Sequence, residues 1–372
     1  MPAAADGNRQ QRQNPSRTST ANTVQIAEQK FQAIARQGCF QKTSRASLRE
    51  VQLRPSLVRI SGMTILYYDP IFMEHLTGDH PERGGRILPA VRNLNFLALD
   101  SACKRPAWES VSKDRLFYVH QHKYIEALQQ MAETGGGLID TDTVVSPKSY
   151  EVALKATGAV CDAVCRVVAG EDKTAFCLIR PPGHHAMPDH GMGFCLFNNI
   201  AVGARVATNE LGIERVLIVD FDVHHGNGTQ AMFWEAADVG YYSMHRSPLY
   251  PHTGAADEIG VGPGEGTTMN LPVALGTPRE EQLETFTASV HAFADKIKPQ
   301  LVMVSAGFDA HKEDPIGSLG LESEDFRTLT HVLLDVANKH SDGRLVSVLE
   351  GGYNAEAMAE CVPIHLEQLL EA

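Results

Sequence analysis

Six short apolar runs constrain the fold of this chain more than any other feature. They read "MTILYYD", "KTAFCLIRP", "RVLIVDFD", "VGYYSMHR", "QLVMVSAGFD" and "RLVSVLEGGY". Each is rich in β-branched and aromatic residues, and most lead into a loop containing Gly or Pro. A strand with one face in water alternates polar and apolar residues; these runs offer little polar face. Between them lie helical stretches such as "SYEVALKATGAVCDAVCRVVAG" and "PREEQLETFTASVHAFADKIK". Repeated β-then-α units with buried strands predict an α/β architecture: a mainly parallel central sheet with helices on both faces. No internal repeat or second linker interrupts the pattern, so residues 63–372 are expected to form a single domain.

Residues 1–62 differ in kind. They hold ten Lys/Arg against three Asp/Glu, about +7, which leaves about −19 for the remainder of a chain whose formal charge is −12. The opening "MPAAADGNRQQRQNPSRTST" is too polar to bury a core and is expected to be a flexible basic extension. "TVQIAEQKFQAIARQ" has the spacing of a short amphipathic helix, with Val24, Ile26, Phe31, Ile34 and Ala35 on one side. An Arg- and Ser-rich leader resembles an organelle transit segment, but a dispensable tail, or a true start at Met63, is the simpler reading. The acidic body argues against a nucleic-acid binder and suits a cationic substrate. No stretch approaches the roughly 18 apolar residues of a membrane span. Seven cysteines, odd in number and without a C-x-x-C pair, fit a reducing, cytoplasmic setting. The oligomeric state is left open.

Titratable residues gather where the apolar runs end, and in open α/β sheets ligands bind at the carboxyl ends of strands. "VLIVDFDVHHGNG" places Asp220, Asp222, His224 and His225 within six residues. If the strand runs on through Val223, alternation puts Asp220, Asp222 and His224 on one face. Asp309 ends "VSAGFD" at an equivalent position. Asp222, His224 and Asp309 would supply three ligands and leave a position open, as catalytic zinc sites do. An imidazole with two carboxylates suits Zn(II), with Fe(II) the second choice. "RPPGHHAMPDHGMGFCLFNN" carries a second pair, His184 and His185, suited to proton transfer near neutral pH. His190, five residues on, reads as structural or as part of a rim. Tyr353, after two glycines in "LEGGYN", can stabilise an oxyanion beside a metal.

The motifs "RPPGHHA…GFCLFNN", "DFDVHHGNGTQ", "GFDAHKEDP" and "LEGGYN", preceded by "DHPERGGR", resemble the zinc-dependent histone deacetylase family, in its class II-like branch. The resemblance covers about residues 63–360 and implies an arginase/deacetylase-like fold. It also implies an enzyme that hydrolyses the amide of acyl-lysine. Asp222, His224 and Asp309 resemble the zinc ligands. His185 resembles the general base and acid, with Asn227 as its partner, and Asp220 resembles the partner of His184. Tyr353 resembles the transition-state tyrosine; His at this position marks weak members, so Tyr implies real deacetylase activity. Gly193, Phe194, Ile316 and either Leu249 or Tyr250 are implied to border the acyl-lysine tunnel. Asp220, Asp222, His224, Ser243 and Met244 are implied to hold a structural potassium ion, largely through backbone oxygens. Arg86 is implied to line an internal channel, and Asp140 or Asp142 to hold the substrate backbone at the rim.

Two-manganese relatives of the fold need bridging carboxylates where this chain has Gly226 and His311, so one catalytic metal is expected. An acetylpolyamine amidohydrolase would share the chemistry, but Ile316 stands where some of those enzymes carry an acidic gatekeeper. A non-catalytic acyl-lysine scaffold would not need the intact ligand set. Deleting residues 1–62 is expected to leave soluble, active protein, measured by turnover per milligram; insoluble or inactive product would show that the leader is structural.

Overall fold

The computed structural model describes residues 64–372. The extension expected over residues 1–62, its amphipathic helix and Met63 lie outside the described residues. The strands are β1 (Ile65–Tyr67), β2 (Gly137–Leu138), β3 (Val144–Val145), β4 (Thr174–Cys177), β5 (Val216–Asp220), β6 (Val239–Arg246), β7 (Thr268–Val273), β8 (Leu301–Ala306) and β9 (Leu345–Leu349). Seven of them form one sheet in the order β1-β4-β9-β8-β5-β6-β7, and every pairing in it is parallel. β2 and β3 make a separate antiparallel pair. All six apolar runs contain a strand of the sheet, and both quoted helical stretches are helices, Ser149–Val168 and Arg279–Ile297.

The seventh strand was not expected. β7 reads "TMNLPV", and its Asn270 and Pro272 hide the apolar signal. It lies at the sheet edge, where Pro272 need not donate to a further neighbour.

Alternation along each strand builds a core on each face. From β5, Leu217 and Val219 join a layer with Phe286 and Val290 of helix Arg279–Ile297 and Leu333 of helix Ser323–His340. Val216 and Ile218 point the other way, against Val160 and Val164 of helix Ser149–Val168 and Ile200 of helix Asn199–Glu210. Each aliphatic side chain buried this way contributes about 1.5–3 kcal/mol relative to exposure. The strand order sets the carboxyl ends of β4, β9, β8 and β5 side by side, and the loops that leave them carry the residues singled out above.

His365, on helix Ala355–Leu370, is buried in the core between two hydroxyls, with Thr330 Oγ1 2.7 Å from Nδ1 and Ser347 Oγ 2.8 Å from Nε2. Burial lowers its pKa from 6.5 to about 3. The unfolded chain therefore takes up a proton near pH 6.5 that the folded chain refuses until about pH 3. The stability this group confers is whole above the upper value and is lost as pH falls through the window, at about 1.4 kcal/mol per pH unit. Denaturant midpoints of the wild type and His365→Gln, compared at pH 7 and pH 5, are expected to show the smaller acid loss in the variant; equal losses would remove His365 from the account.

Candidate active site

β5 ends at Asp220, not at Val223. The expected strand alternation therefore does not place Asp222 and His224; a turn beyond the strand does, closed by the His224 amide donating to Asp222 Oδ1 at 2.9 Å. Asp309 follows β8, the neighbour of β5, and its Oδ1 accepts from the Val223 amide at 2.9 Å. The remaining donors converge. His224 Nδ1 lies 3.1 Å from Asp222 Oδ1 and 3.2 Å from Asp309 Oδ2. One donor atom from each of these three buried residues falls within 4.8 Å of the others. Burial, then the neighbouring Asp222 charge, raises the Asp309 carboxyl to about 7. Two buried carboxylates facing one another at this distance call for a cation, so the set fits a divalent metal with one imidazole and two carboxylate ligands. Gly351 leaves them room, because a Cβ there would collide with both carboxylates.

His184, Cys195 and Glu350 form a second buried cluster of the same size. Both oxygens of its one carboxylate and Nδ1 of its imidazole are already engaged. Glu350 Oε2 accepts from the amides of Gly183 (2.6 Å) and His184 (3.1 Å), and Oε1 from Ser305 Oγ at 3.1 Å. His184 Nδ1 pairs with Asp220 Oδ2 at 3.0 Å. This cluster is scaffolding for the histidine loop rather than a metal site.

Asp220 turns away from the convergent ligands, toward His184 and the Tyr241 hydroxyl at 3.2 Å. Burial works against charging His184, but Asp220 and Asp222 outweigh it and raise its pKa to about 10. His185 moves oppositely: burial, then the neighbouring His184 and His224, push it well below the usual value. Its Nδ1 lies 2.7 Å from Asn227 Oδ1, and the Asn227 amide nitrogen lies 3.3 and 3.4 Å from the sulfurs of Met187 and Met192. An amide oxygen only accepts, so Nδ1 carries the proton and Nε2 is left free to take one.

These groups face a cavity of about 170 Å³ lined by Asp142, His185, Gly193, Phe194, His224, Tyr250, Ile316 and Tyr353. Gly193 is held at φ +54, where a Cβ would strike the His185 ring, so no other residue fits. Phe194 adopts φ 71 and is fixed by its amide donating to Thr143 Oγ1 at 3.1 Å. Its ring meets that of Tyr353 edge-on at 5.6 Å. Of the two wall candidates, Tyr250 lines the cavity, whereas Leu249 packs against the core; the two sit in the turn after β6, closed by the His252 amide donating to the Leu249 carbonyl at 2.8 Å. Of the two acids, Asp142 borders the cavity and Asp140 does not. Burial, then Asp140, raises the Asp142 carboxyl.

Arg86 is buried against the turn that carries Tyr353. It donates to the carbonyls of Glu350 (2.7 Å) and Gly352 (3.1 Å), and its guanidinium lies 5.4 Å from the tyrosine ring. Glu82 anchors Arg86 from behind and also pairs with Arg180 at 2.7 Å. His225 points away from the cavity, to Thr253 Oγ1 at 2.7 Å and Gln230 Oε1 at 3.0 Å. His190 is exposed beside Asp189. His311 turns toward Ser323 and the Glu313 amide, outside the ligand set. At Gly226, the other position where two-metal relatives need a carboxylate, a Cβ would collide with Asp220. Ser243 is the register partner of Asp220 on β6, with Met244 next to it. Sequence reasoning missed Glu350, Glu82, Arg180 and Asp314. The signal for Glu350 was present, as a carboxylate at the end of the buried run "RLVSVLE".

A parallel sheet of this order, with its site at the carboxyl ends of the central strands, is an arginase-like α/β domain. Residues 80–369 match the histone deacetylase domain, and the chain belongs to the histone deacetylase family. That membership makes it a deacetylase-type amidohydrolase. The histone deacetylase-like amidohydrolase of Pseudomonas aeruginosa is 39% identical over 326 residues, covering 82% of this chain and 86% of its own. The chloroplastic histone deacetylase 10 of rice, Oryza sativa subsp. japonica, is 38% identical over 315 residues, covering 80% and 71%. The crystal structure of the HDA15 HD domain aligns with a TM-score of 0.79 at 34% identity, covering 83% of this chain and 89% of that one.

Asp309→Ala leaves one carboxylate and one imidazole and is expected to lower divalent-metal affinity sharply, read as metal content after purification and by metal titration. Stoichiometric metal in the variant would remove Asp309 from the ligand set.

Proposed function

We propose that this protein removes acetyl or other acyl groups from lysine side chains, with a single divalent metal, zinc in first place, held by Asp222, His224 and Asp309. The observation that carries the reading is the meeting of His224, grouped with Asp222 and Asp309, with His185 and Tyr353 on the lining of one cavity. When bound, the metal polarises the amide carbonyl and lowers the pKa of water. His185 Nε2 accepts the proton of the attacking water. As the C–O bond forms, the Tyr353 hydroxyl donates to the developing oxyanion. His185 then returns the proton to the departing amine as the C–N bond breaks, giving a carboxylic acid and free lysine; the acid then loses its remaining proton to the more basic amine or to solvent. Asn227 holds His185 in the tautomer this requires. His184, paired with Asp220 at 3.0 Å, holds its ring 4.0 Å from that of His185 and supports the proton-transfer residue.

Phe194, Tyr250 and Ile316 give the cavity apolar walls suited to the methylene stem of lysine, and Asp142 at its border suits a backbone amide donor. The oxygen donors around Asp220, Asp222, His224, Ser243 and Met244 suit a structural potassium ion. The six cysteines among the described residues are unpaired, which supports a reducing compartment such as the cytoplasm. Asp142 also suits a small acylated polyamine, so both substrate classes belong in the test.

The purified chain is expected to hydrolyse acetyl-lysine peptides faster than acetylpolyamines, to stop on chelation and to recover with added zinc. Faster turnover of acetylpolyamines would move the assignment to that class. Tyr353→Phe is expected to keep its metal and lose about 10²–10³ in kcat; full activity in that variant would overturn the oxyanion role.

A further inference from the structure

Asp314 is buried between two loops, and all of its acceptor capacity is spent on backbone amides. Oδ1 accepts from Ile316 at 2.9 Å and Gly317 at 3.0 Å. Oδ2 accepts from Tyr353 at 2.7 Å and Asn354 at 3.2 Å. The first pair belongs to the loop after β8, which supplies the cavity wall Ile316. The second belongs to the turn after β9, which supplies Tyr353. No side-chain cation stands within salt-bridge distance of Asp314 among the described residues. Its charge is met by four N–H groups, an arrangement that fixes the backbone rather than the side chains.

Other contacts make this clamp the junction of a larger frame. The Asn354 side chain donates to the Glu313 carbonyl at 2.9 Å, and its oxygen caps helix Ala355–Leu370 by accepting from Glu356 and Ala357. Arg246 donates to the Gly317 carbonyl at 2.9 Å from the far side of the Ile316 loop. Across the tyrosine turn, Arg86 grips the carbonyls of Glu350 and Gly352. The turn is thus held by its carbonyls on one side and by its amides on the other. Gly351 and Gly352 precede Tyr353 and resist bending little, so the direction of the tyrosine depends on these two grips. Tyr353 Oη has no hydrogen-bond partner among the described residues, so the ring's placement comes from its backbone, from Phe194 and from the Arg86 guanidinium over its face.

We infer that Asp314 is the positioning residue that couples the tunnel wall to the oxyanion donor, setting Tyr353 for catalysis and Ile316 for substrate binding. The inference rests on the amidohydrolase reading above. A wall and a donor fixed by one carboxylate move together, so a substrate chain that displaces Ile316 also displaces Tyr353. Acyl-lysine substrates that crowd the wall would then lose kcat as well as affinity.

A double-mutant cycle tests this with the full chain: wild type, Asp314→Asn, Tyr353→Phe and the pair, each with bound zinc and melting temperature measured. Asn keeps the size but turns one acceptor into a donor facing two N–H groups. In the wild-type background Asp314→Asn is expected to lower kcat about tenfold or more with zinc retained. In the Tyr353→Phe background the same change is expected to leave kcat within about twofold, because the hydroxyl it positions is already gone. KM is expected to rise in both backgrounds, since Ile316 moves in both. Equal fold-losses of kcat in the two backgrounds, or wild-type kcat in Asp314→Asn, would overturn the role of Asp314 while leaving the amidohydrolase reading intact. No turnover by the wild-type chain on any acyl-lysine would take down both. If Asp314→Asn loses its cooperative melt, Asp314→Ser replaces it in the cycle. Failure of both to fold would overturn positioning in favour of a global structural role.

Discussion

The site depends on the burial of two carboxylates, Asp222 and Asp309, at the ends of neighbouring strands. Two like charges removed from water repel each other and pay a large desolvation cost. The fold meets part of that cost with backbone amides: Gly351 donates to Asp222 Oδ2 at 2.8 Å and Val223 to Asp309 Oδ1 at 2.9 Å. It leaves the facing oxygens for His224 and for a cation. A parallel sheet suits this arrangement, because adjacent strands deliver their carboxyl ends, and the amides just beyond them, to one edge.

Around this pair the protein builds two further layers of ionic structure, each anchored on backbone. Glu350 ties the amides of Gly183 and His184, which sets the histidine loop against β9. Arg86, backed by Glu82, and Asp314 grip the Tyr353 turn from opposite sides. Glu82 is held below the usual carboxylate range: burial opposes its charge, but Arg180 and Arg86 outweigh that penalty. Buried charges of this kind are weak sources of stability; their effect is to fix positions. Proton-handling side chains on loops gain the rigidity of strands from such anchors.

Much of this was legible in the sequence. The six apolar runs all contain strands, because a strand apolar on both faces has few other places to go. The ligand and histidine motifs sit at strand ends, where chain order alone puts them. What failed did so for identifiable reasons. β7 was hidden by Asn270 and Pro272, residues an edge strand tolerates. The alternation argument for Asp222 and His224 assumed a strand running on through Val223, whereas β5 ends at Asp220. Leu249 and Tyr250 are neighbours in the chain, and no pattern separates the one that faces the cavity. Asp314 and Glu350 gave no sign of their partners, because those partners are backbone amides from other parts of the chain.

The sequence by itself determined the layered α/β architecture, the edge of the sheet where chemistry collects and the residue types that meet there. Hydrophobic periodicity and metal-donor chemistry are local properties, written in short stretches. Only the tertiary structure decided which of two clusters has free donors, which wall residue meets the cavity, and how Tyr353 is aimed. Those outcomes depend on distances between residues far apart in the chain, such as Asp222 with Gly351 and Asp314 with Tyr353. Such distances are fixed by the packing of strands and loops in space, which no single stretch of residues specifies.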